Sequence, residues 1–461
     1  MFIGRKKELD SLEDFYADDK FNFSTIRGRR RVGKSTLLKE FCKDKPHIYF
    51  MAQEQSAKDN LVKLSAAVSP ILGNSEATFN SYEALFEKLF QYTQNNKLVF
   101  VIDEFPYLAT AKRGLMSILQ ELIDKYEHSS KMFLILCGSS ISFMEKRVLS
   151  SKAPLYGRST GRFKLKMFNF YDALPYFDNY SNIDKIIAFS CFGGIPAYLQ
   201  RIKKERTIKE NIKRNFLRAG GYIFEEPTTL LKEEFREPAI YSSIIEAIAN
   251  GYSKLNDIAT KIDETTAKTA NYIRSLIELQ LVEKEQPITE KATSKKTIYK
   301  LNDNMFKFWY KFVSPNISSL EMGDIEQIYE SKIAPKLSEY CGFTFEEICK
   351  QFFWKEHRNN KKLPFLFFHL GRWWGNNAKL KQEEEIDFIA YEGKQCYFCE
   401  CKWRNEKTGL SELNELKRKA ELLQQFDDKY YVLFSKSGFK KELLELKDDK
   451  VLLYDVNDIC S

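Results

Sequence analysis

The chain has 461 residues, 43% of them hydrophobic and 30% charged, with a formal net charge of +8. Length alone asks for about three domains. The composition is that of a soluble globular protein, since no apolar run approaches the roughly 18 residues of a membrane span, and the mild positive charge is compatible with nucleic acid without arguing for it.

The opening Met1-Phe2-Ile3-Gly4-Arg5 lacks the apolar core of a signal peptide, so the cytoplasm is the default location. Nine scattered cysteines form no disulfide framework and are expected to be reduced thiols. Four histidines leave little material for a His-based metal or acid–base centre. An amphipathic helix follows, through about Tyr16. Phe21-Asn22-Phe23-Ser24-Thr25-Ile26 then alternates apolar with polar, as a strand does.

The next stretch, Gly28-Arg29-Arg30-Arg31-Val32-Gly33-Lys34-Ser35, fits G-x-x-x-x-G-K-[ST] at every fixed position, and Thr36-Leu37-Leu38 starts a helix. A loop that wraps phosphates must turn tightly and bring its N–H groups close, so Gly28 and Gly33 carry no side chain. The helix N-terminus favours an anion. Lys34 can reach the β- and γ-phosphates, and the Ser35 hydroxyl can ligate Mg²⁺. Residues 28–36 are therefore the candidate nucleotide cradle.

Pro46–Met51 reads as a second strand, with helices near Asp59–Val68 and Ser81–Tyr92. Lys97–Phe105 is a continuous apolar run, the pattern of a buried parallel strand. It ends in Asp103-Glu104, where a parallel sheet presents its ligand site. Asp103 is placed to hold Mg²⁺, and Glu104 to orient and polarise the attacking water. Met132–Cys137 is a further strand, ending at Gly138-Ser139-Ser140. One of these serines either senses nucleotide or merely caps a helix; the sequence does not choose between them. Arg158 and Arg162 precede an alternating strand, Phe163–Met167. They complete a nucleotide site, lie in a subunit interface, or are solvated.

These motifs resemble the AAA+-related P-loop ATPases of the signal-transducing (STAND-type) group, specifically the prokaryotic "archaeal ATPase" family. Gly4, Arg5 and Glu8 match its N-terminal Gly-Arg-x-x-Glu element, Leu155-Tyr156-Gly157-Arg158 its Leu-Tyr-Gly-Arg element, and Gly193-Gly194-Ile195-Pro196 its Gly-Gly-x-Pro element. The resemblance implies ATP rather than GTP, places Gly4 and Arg5 near the adenine, and makes Pro196 part of an element that responds to nucleotide. It also implies a sheet with the phosphate-loop strand near its middle, followed by a helical subdomain from about Tyr171 to Phe224.

Pro227 and Pro238 bracket a linker. Three helices follow, at Ala239–Ala249, Lys254–Lys261 and Thr265–Leu279, then a charged hairpin between Leu281–Lys284 and Thr297–Leu301. This is the pattern of a winged helix-turn-helix, whose third helix enters the major groove. Thr265, Thr266, Lys268, Thr269 and Asn271 are offered by that helix, and Lys284, Lys291, Lys295 and Lys296 by the wing. The same fold also serves as a protein-binding module.

Downstream, Glu385–Tyr391 and Cys396–Lys402 read as two strands joined by a tight turn at Glu392-Gly393-Lys394. Alternation puts Glu400 and Lys402 on one face, with Asp387 on the neighbouring strand. This arrangement resembles the restriction-endonuclease-like core. The resemblance implies that Asp387 and Glu400 hold Mg²⁺ and that Lys402 positions or activates a hydroxide. Glu346 or Glu347 resembles that family's additional acid. The helix from Ser411 to Leu423, with Lys417, Arg418 and Lys419, is where a substrate-facing helix would follow. Cys396, Cys399 and Cys401 read as buried thiols rather than a zinc cluster, because alternation turns Cys396 away from the other two.

The expected fold class is therefore α/β. A P-loop NTPase parallel sheet with helical subdomain occupies residues 1–225, a winged helix-turn-helix 226–315, and an α/β restriction-endonuclease-like domain 316–461. The expected activity is an ATP- and Mg²⁺-dependent switch coupled to double-stranded DNA binding and cleavage. The alternatives are a regulator whose inactive nuclease fold holds a protein partner and a protein-remodelling ATPase. Assembly into a homo-oligomer is left open, and no membrane partner is expected.

Overall fold

The computed structural model describes residues 2–73, 78–291, 294, 296–359 and 363–461. The chain forms two compact units, residues 1–167 and 168–461.

In the first unit, β1 (Asn22–Arg27), β2 (His47–Met51), β3 (Leu98–Asp103), β4 (Met132–Gly138) and β5 (Gly161–Lys164) make one parallel sheet in the order β2-β3-β4-β1-β5. Every residue of β3 and β4 is buried, as their unbroken apolar runs require. β1 is interior, between β4 and β5, one strand in from the edge. Its alternation does not mark a wet face. Asn22, Ser24 and Thr25 are buried with the rest, and Asn22 Nδ2 donates to the Phe15 carbonyl at 2.8 Å. The helices expected between β2 and β3 are Ala57–Val68 and Tyr82–Tyr92. They are capped by Ser56 and Ser81, which accept from Asp59 N and Ala84 N at 3.1 Å. β5 begins two residues earlier than the alternation suggests. Gly161 lets it lie close against β1, since a Cβ there would run into Ser24 Oγ and the Phe15 ring.

The second unit opens with short helices, among them Asn182–Phe192, Pro196–Leu199 and Ile208–Ile212. Gly193 ends the first of these at φ 68°, and a Cβ on Gly194 would overlap the Phe168 carbonyl. The two segments meet there through the bond from Phe168 N to Gly194 O, 2.7 Å. Next come helices Pro238–Ala249, Leu255–Lys261 and Thr266–Glu278, with the antiparallel pair β6 (Val282–Glu285) and β7 (Ile298–Leu301).

The long helix Ala334–Asn359 leads into a mixed five-stranded sheet. Its strands are β8 (His369–Asn377), β9 (Gln382–Glu392), β10 (Gln395–Lys402), β11 (Asp428–Ser435) and β12 (Val451–Asp455), in the order β12-β11-β10-β9-β8. β8–β9 and β9–β10 are antiparallel; β10–β11 and β11–β12 are parallel. The β9–β10 turn is Gly393-Lys394, with Gly393 at φ 55°. Helix Leu410–Ala420 buries Leu413, Leu416 and Ala420 against Ile386, Ile389 and Phe398. The loop beyond β6 is docked on this sheet: Ile288 N donates to Arg372 O at 2.9 Å, and the Ile288 side chain covers Gly371. Among the described residues, no helix is long and apolar enough to cross a membrane.

Candidate active site

The loop between β1 and helix Lys34–Cys42 is built by backbone geometry before side chains add chemistry. Gly33 at φ 89° and Arg31 at φ 69° both adopt the left-handed region. Gly28 has a separate reason to lack a side chain: a Cβ there would stand 2.7 Å from the Leu165 carbonyl oxygen. Lys34 is 6% exposed, and its ammonium donates to the carbonyls of Gly28 (2.9 Å) and Arg29 (3.2 Å), inside its own loop. Val32 is buried in the same loop, Thr36 is exposed, and Arg30 Nη2 donates to the Tyr107 hydroxyl at 3.3 Å.

β3 ends at the two carboxylates, of which Asp103 meets Ser35 at the end of this loop. Asp103 is fully buried and accepts from Ser35 Oγ (2.7 Å) and the Tyr49 hydroxyl (2.5 Å) at Oδ2, and from Glu104 N (3.0 Å) at Oδ1. Burial and the Asp103 carboxylate hold the Tyr49 phenol far above its usual range, so it remains a donor. Glu104 itself sits in the left-handed region, φ 53°, at the head of helix Phe105–Ala111. Its Oε2 accepts from Ser139 Oγ (2.9 Å) and Ser139 N (3.3 Å) at the end of β4. Ser139, not Ser140, therefore meets Glu104; Ser140 precedes the next helix and caps none of its N–H groups.

Arg5, φ 61°, follows Gly4 at φ 71° and heads helix Lys6–Ala17. Its guanidinium reaches Glu8 (3.1 Å), the Val32 carbonyl (3.0 Å) and the Lys166 carbonyl. It thus ties the N-terminal helix to the phosphate loop and to the exit of β5. Arg158 makes a two-pronged pair with Asp124, both contacts 2.6 Å, and Arg162 donates to Ser159 Oγ at 2.7 Å. Pro196 is the first residue of its short helix in the second unit and is buried.

Sequence reasoning missed Tyr49. Its only signal was a tyrosine two residues from the end of a strand neighbouring the Asp103 strand; it pairs with Val101, and its hydroxyl reaches the carboxylate two residues on.

In the second unit, Thr265, Thr266, Lys268 and Asn271 are exposed on the third helix of the three-helix group. Thr269 is not: it is fully buried, with Oγ1 donating to the Thr265 carbonyl at 3.0 Å, because it lies one turn on and faces the neighbouring helices. Arg274 on the same helix is exposed beside them. Lys284, Lys291 and Lys296 of the hairpin are exposed, Lys296 pairing with Glu290 at 2.7 Å; Lys295 lies outside the described residues.

The β9–β10 hairpin brings Asp387, Glu400 and Lys402 together. Lys402 Nζ donates to Glu400 Oε1 at 2.6 Å, and Cys401 N donates to Asp387 Oδ2 at 2.7 Å. Glu400 is 6% exposed, and its Oε2 is buried without a hydrogen-bond donor; Lys419 Nζ is 3.7 Å away. Burial pushes the Asp387 carboxyl well above its usual range, and the Glu400 and Glu346 carboxylates push the same way. Burial pulls the Lys402 ammonium down, but Glu400 outweighs it and holds the group above its usual value.

Of the two candidate additional acids, Glu346 is the one that acts on Asp387. Glu347 is engaged by Lys300 (2.8 Å) and Lys350 (2.9 Å). On helix Leu410–Ala420, Lys417 pairs with Asp448 and Arg418 with Glu384 and Glu415, leaving Lys419 directed to Glu400. Among the described residues, no group of three His, Cys, Asp or Glu side chains converges as metal ligands do. Cys396 and Cys399 are buried free thiols, and Cys401 is partly buried.

Two family models match separate stretches of the chain. The family described as "ATPase domain predominantly from Archaea" matches residues 2–202. A second family, "Archaea bacterial proteins of unknown function", matches residues 309–418. The uncharacterized protein MJECL04 of Methanocaldococcus jannaschii is 33% identical over 465 residues, covering 99% of this chain and 100% of the relative. An uncharacterized ATP-binding protein of the same archaeon is 47% identical over 45 residues, 10% of this chain and 76% of its own length. Among solved structures, a Walker-type ATPase of Pyrococcus abyssi superposes with a TM-score of 0.51 at 21% identity, over 67% of this chain and 96% of its own; this is a likeness of fold.

Proposed function

This chain belongs to the family of ATPases found predominantly in Archaea, and we propose that its ATP hydrolysis drives a switch whose output acts on DNA. The observation that carries the ATPase site is one run of contacts: Ser35 to Asp103, Asp103 to the Glu104 backbone, and Glu104 to Ser139. In this reading the backbone N–H groups of residues 28–35 and the Lys34 ammonium take the phosphates, exchanging the Gly28 and Arg29 carbonyls for phosphate oxygens.

Mg²⁺ suits the Ser35 hydroxyl and Asp103 carboxylate, hard oxygen donors already 2.7 Å apart. When bound, the ion neutralises charge on the phosphate oxygens. Glu104 orients the attacking water and accepts its proton, and Ser139 fixes the carboxylate while it does so. Tyr49 positions Asp103. Arg5 sets the loop through the Val32 carbonyl.

We assign the winged helix-turn-helix to DNA contact, through Thr265, Thr266, Lys268 and Asn271 with Arg274. The restriction-endonuclease-like sheet is assigned to phosphodiester cleavage. There the Glu400 oxygen that lacks a hydrogen-bond donor and the raised Asp387 carboxyl suit a divalent cation, which would polarise the scissile phosphate. Lys402 would position the attacking water. A second reading has its own support: the hairpin loop is docked on the C-terminal sheet, and Lys417 and Arg418 are neutralised by acids. Those contacts suit a regulator that holds a protein partner with an inactive nuclease fold.

The test is ATP turnover with Mg²⁺, with and without duplex DNA, the DNA being recovered on a gel. We expect DNA to stimulate turnover, Lys34→Ala to abolish it, and Lys402→Ala to keep turnover but lose cutting. Turnover indifferent to DNA, with the DNA uncut, would sink the nuclease reading and favour the protein-partner regulator. Stimulation by unfolded peptide would favour a remodelling ATPase.

A further inference from the structure

Residues 201–218 are dense in cations, and the structure sorts all of them but Arg206 into two groups. Lys204 pairs with Asp178 at 2.8 Å, and Lys209 and Lys213 pair with Glu326, Lys209 also with Glu330. Arg201, Lys203, Arg214 and Arg218 make no such pair among the described residues. They line one cavity of about 560 Å³ in the second unit, and no Asp or Glu lines it with them.

The cavity is assembled by local geometry. Gly220 at φ 76° turns the chain back, and a Cβ on Gly221 would stand 2.9 Å from the carbonyls of Arg214 and Arg218. The turn is therefore drawn tightly over the preceding helical residues, bringing both arginines to one mouth. Asn215 is 5% exposed and bonds the Asn211 carbonyl at 3.0 Å, fixing the floor. On the opposite wall the Arg201 guanidinium lies over the Tyr222 ring at 4.1 Å, which orients it.

Arg214 and Arg218 line the same opening, and like charges held together there repel. Two further cations at the same opening raise that cost, and an anion in the cavity removes it. Guanidinium groups are forks shaped for phosphate oxygens, and the volume is that of a small-molecule site. The cations converge on a single cavity rather than following a track, which favours a compact ligand over a nucleic-acid strand. We propose that this cavity is a second anion site, separate from the phosphate loop, for a small ligand of nucleotide size bearing two or more phosphates.

The full-length Lys34→Ala protein, with its phosphate loop disabled, is titrated calorimetrically with tripolyphosphate. One equivalent is expected to bind. The added pair Arg214→Gln and Arg218→Gln should weaken it at least about tenfold, whereas Lys209→Gln, a cation already paired with acids, should not. All of these positions are on the surface, and unchanged thermal unfolding shows that the variants fold; Lys203→Gln, expected to weaken binding less, provides an independent variant. Absence of binding, or binding indifferent to the arginines, overturns the proposal. Displacement of tripolyphosphate by single-stranded DNA of about 12 nucleotides at lower concentration than by ATP also overturns it, and hands the cavity to nucleic acid. None of these outcomes depends on whether the chain cuts DNA.

Discussion

In the proposed mechanism, the residue that separates binding from turnover is Glu104. It holds no contact that builds the phosphate loop; its carboxylate is held by Ser139 alone among the contacts described above. Glu104→Gln is therefore expected to bind ATP normally and to lose turnover by about 10²-fold or more, the usual contribution of a positioned base, checked by steady-state kinetics beside equilibrium nucleotide binding. Ser139→Ala should lose roughly tenfold, since one hydrogen bond to a charged group is worth about 1.5 kcal/mol or more. Glu384 is another residue whose charge can be read directly. Its hydrogen bonds to Arg418 hold its pKa down at about 2, against a usual 4.5. A carboxyl lowered in the folded state stabilises above pH 4.5 and stops doing so as pH falls through about 2. Glu384→Gln should thus destabilise at pH 7 by about 1 kcal/mol, a figure kept small because Arg418 is 38% exposed. The difference from wild type should vanish near pH 2, as measured by urea unfolding.

At the scale of elements, close backbone approach and buried charge decide most. Gly194 admits the Phe168 carbonyl where any Cβ would collide, and the bond from Phe168 N to Gly194 O depends on that approach. Gly194→Ala is expected to yield a poorly folded protein, seen as early thermal unfolding, whereas Gly220→Ala meets no atom and should be mild beyond its backbone strain. The contact between β7 and helix Ala334–Asn359 is a second such place. Lys300 lies 3.1 Å from Glu283, 3.0 Å from Glu285 and 2.8 Å from Glu347. Burial alone would raise Glu347, but Lys350 and Lys300 hold it well below the usual range. Lys300→Met leaves three carboxylates facing one another with Lys350 as their remaining counter-ion. It should cost about 3 kcal/mol, the lower end for a broken buried pair because Lys300 is 27% exposed. Denaturant titration would measure the loss.

At the scale of the whole chain, the residues proposed to hold nucleotide, Pro196 apart, lie within residues 1–167, which form one compact unit with their own core. ATP with Mg²⁺ should therefore raise the unfolding midpoint of that unit. At a hundred times its dissociation constant a ligand adds about 2.7 kcal/mol to what it binds. Calorimetry with and without ATP, repeated on Lys34→Ala, should show the shift and then its loss. A shift carried equally by residues 168–461 would mean that the two units unfold together.

Some of this protein was settled by its linear pattern. The phosphate loop, the buried Asp-Glu strand and the β9–β10 hairpin are local: each is a few residues whose spacing dictates strand, turn or helix, so Gly28, Lys34, Ser35, Asp103, Glu400 and Lys402 could be named from order alone. The family resemblance was legible for the same reason. Partners brought in from distant sequence were not. Tyr49 reaches Asp103 through the register of β2 on β3, Ser139 rather than Ser140 meets Glu104 through the end of β4, and Arg158 closes on Asp124 across 34 residues. Thr269 looked outward in the sequence and is buried, because a helix's solvent face is fixed by what packs on the other side. β8, β11 and β12 gave no pattern that singled them out; they are strands because β9 offers an edge to β8, β10 to β11, and β11 in turn to β12. The sequence by itself determined the chemistry available to this chain, since motif residues are set by neighbours along the backbone. Only the tertiary structure decided which groups complete each site, because hydrogen bonds, charge pairing and desolvation act through space between residues far apart in order.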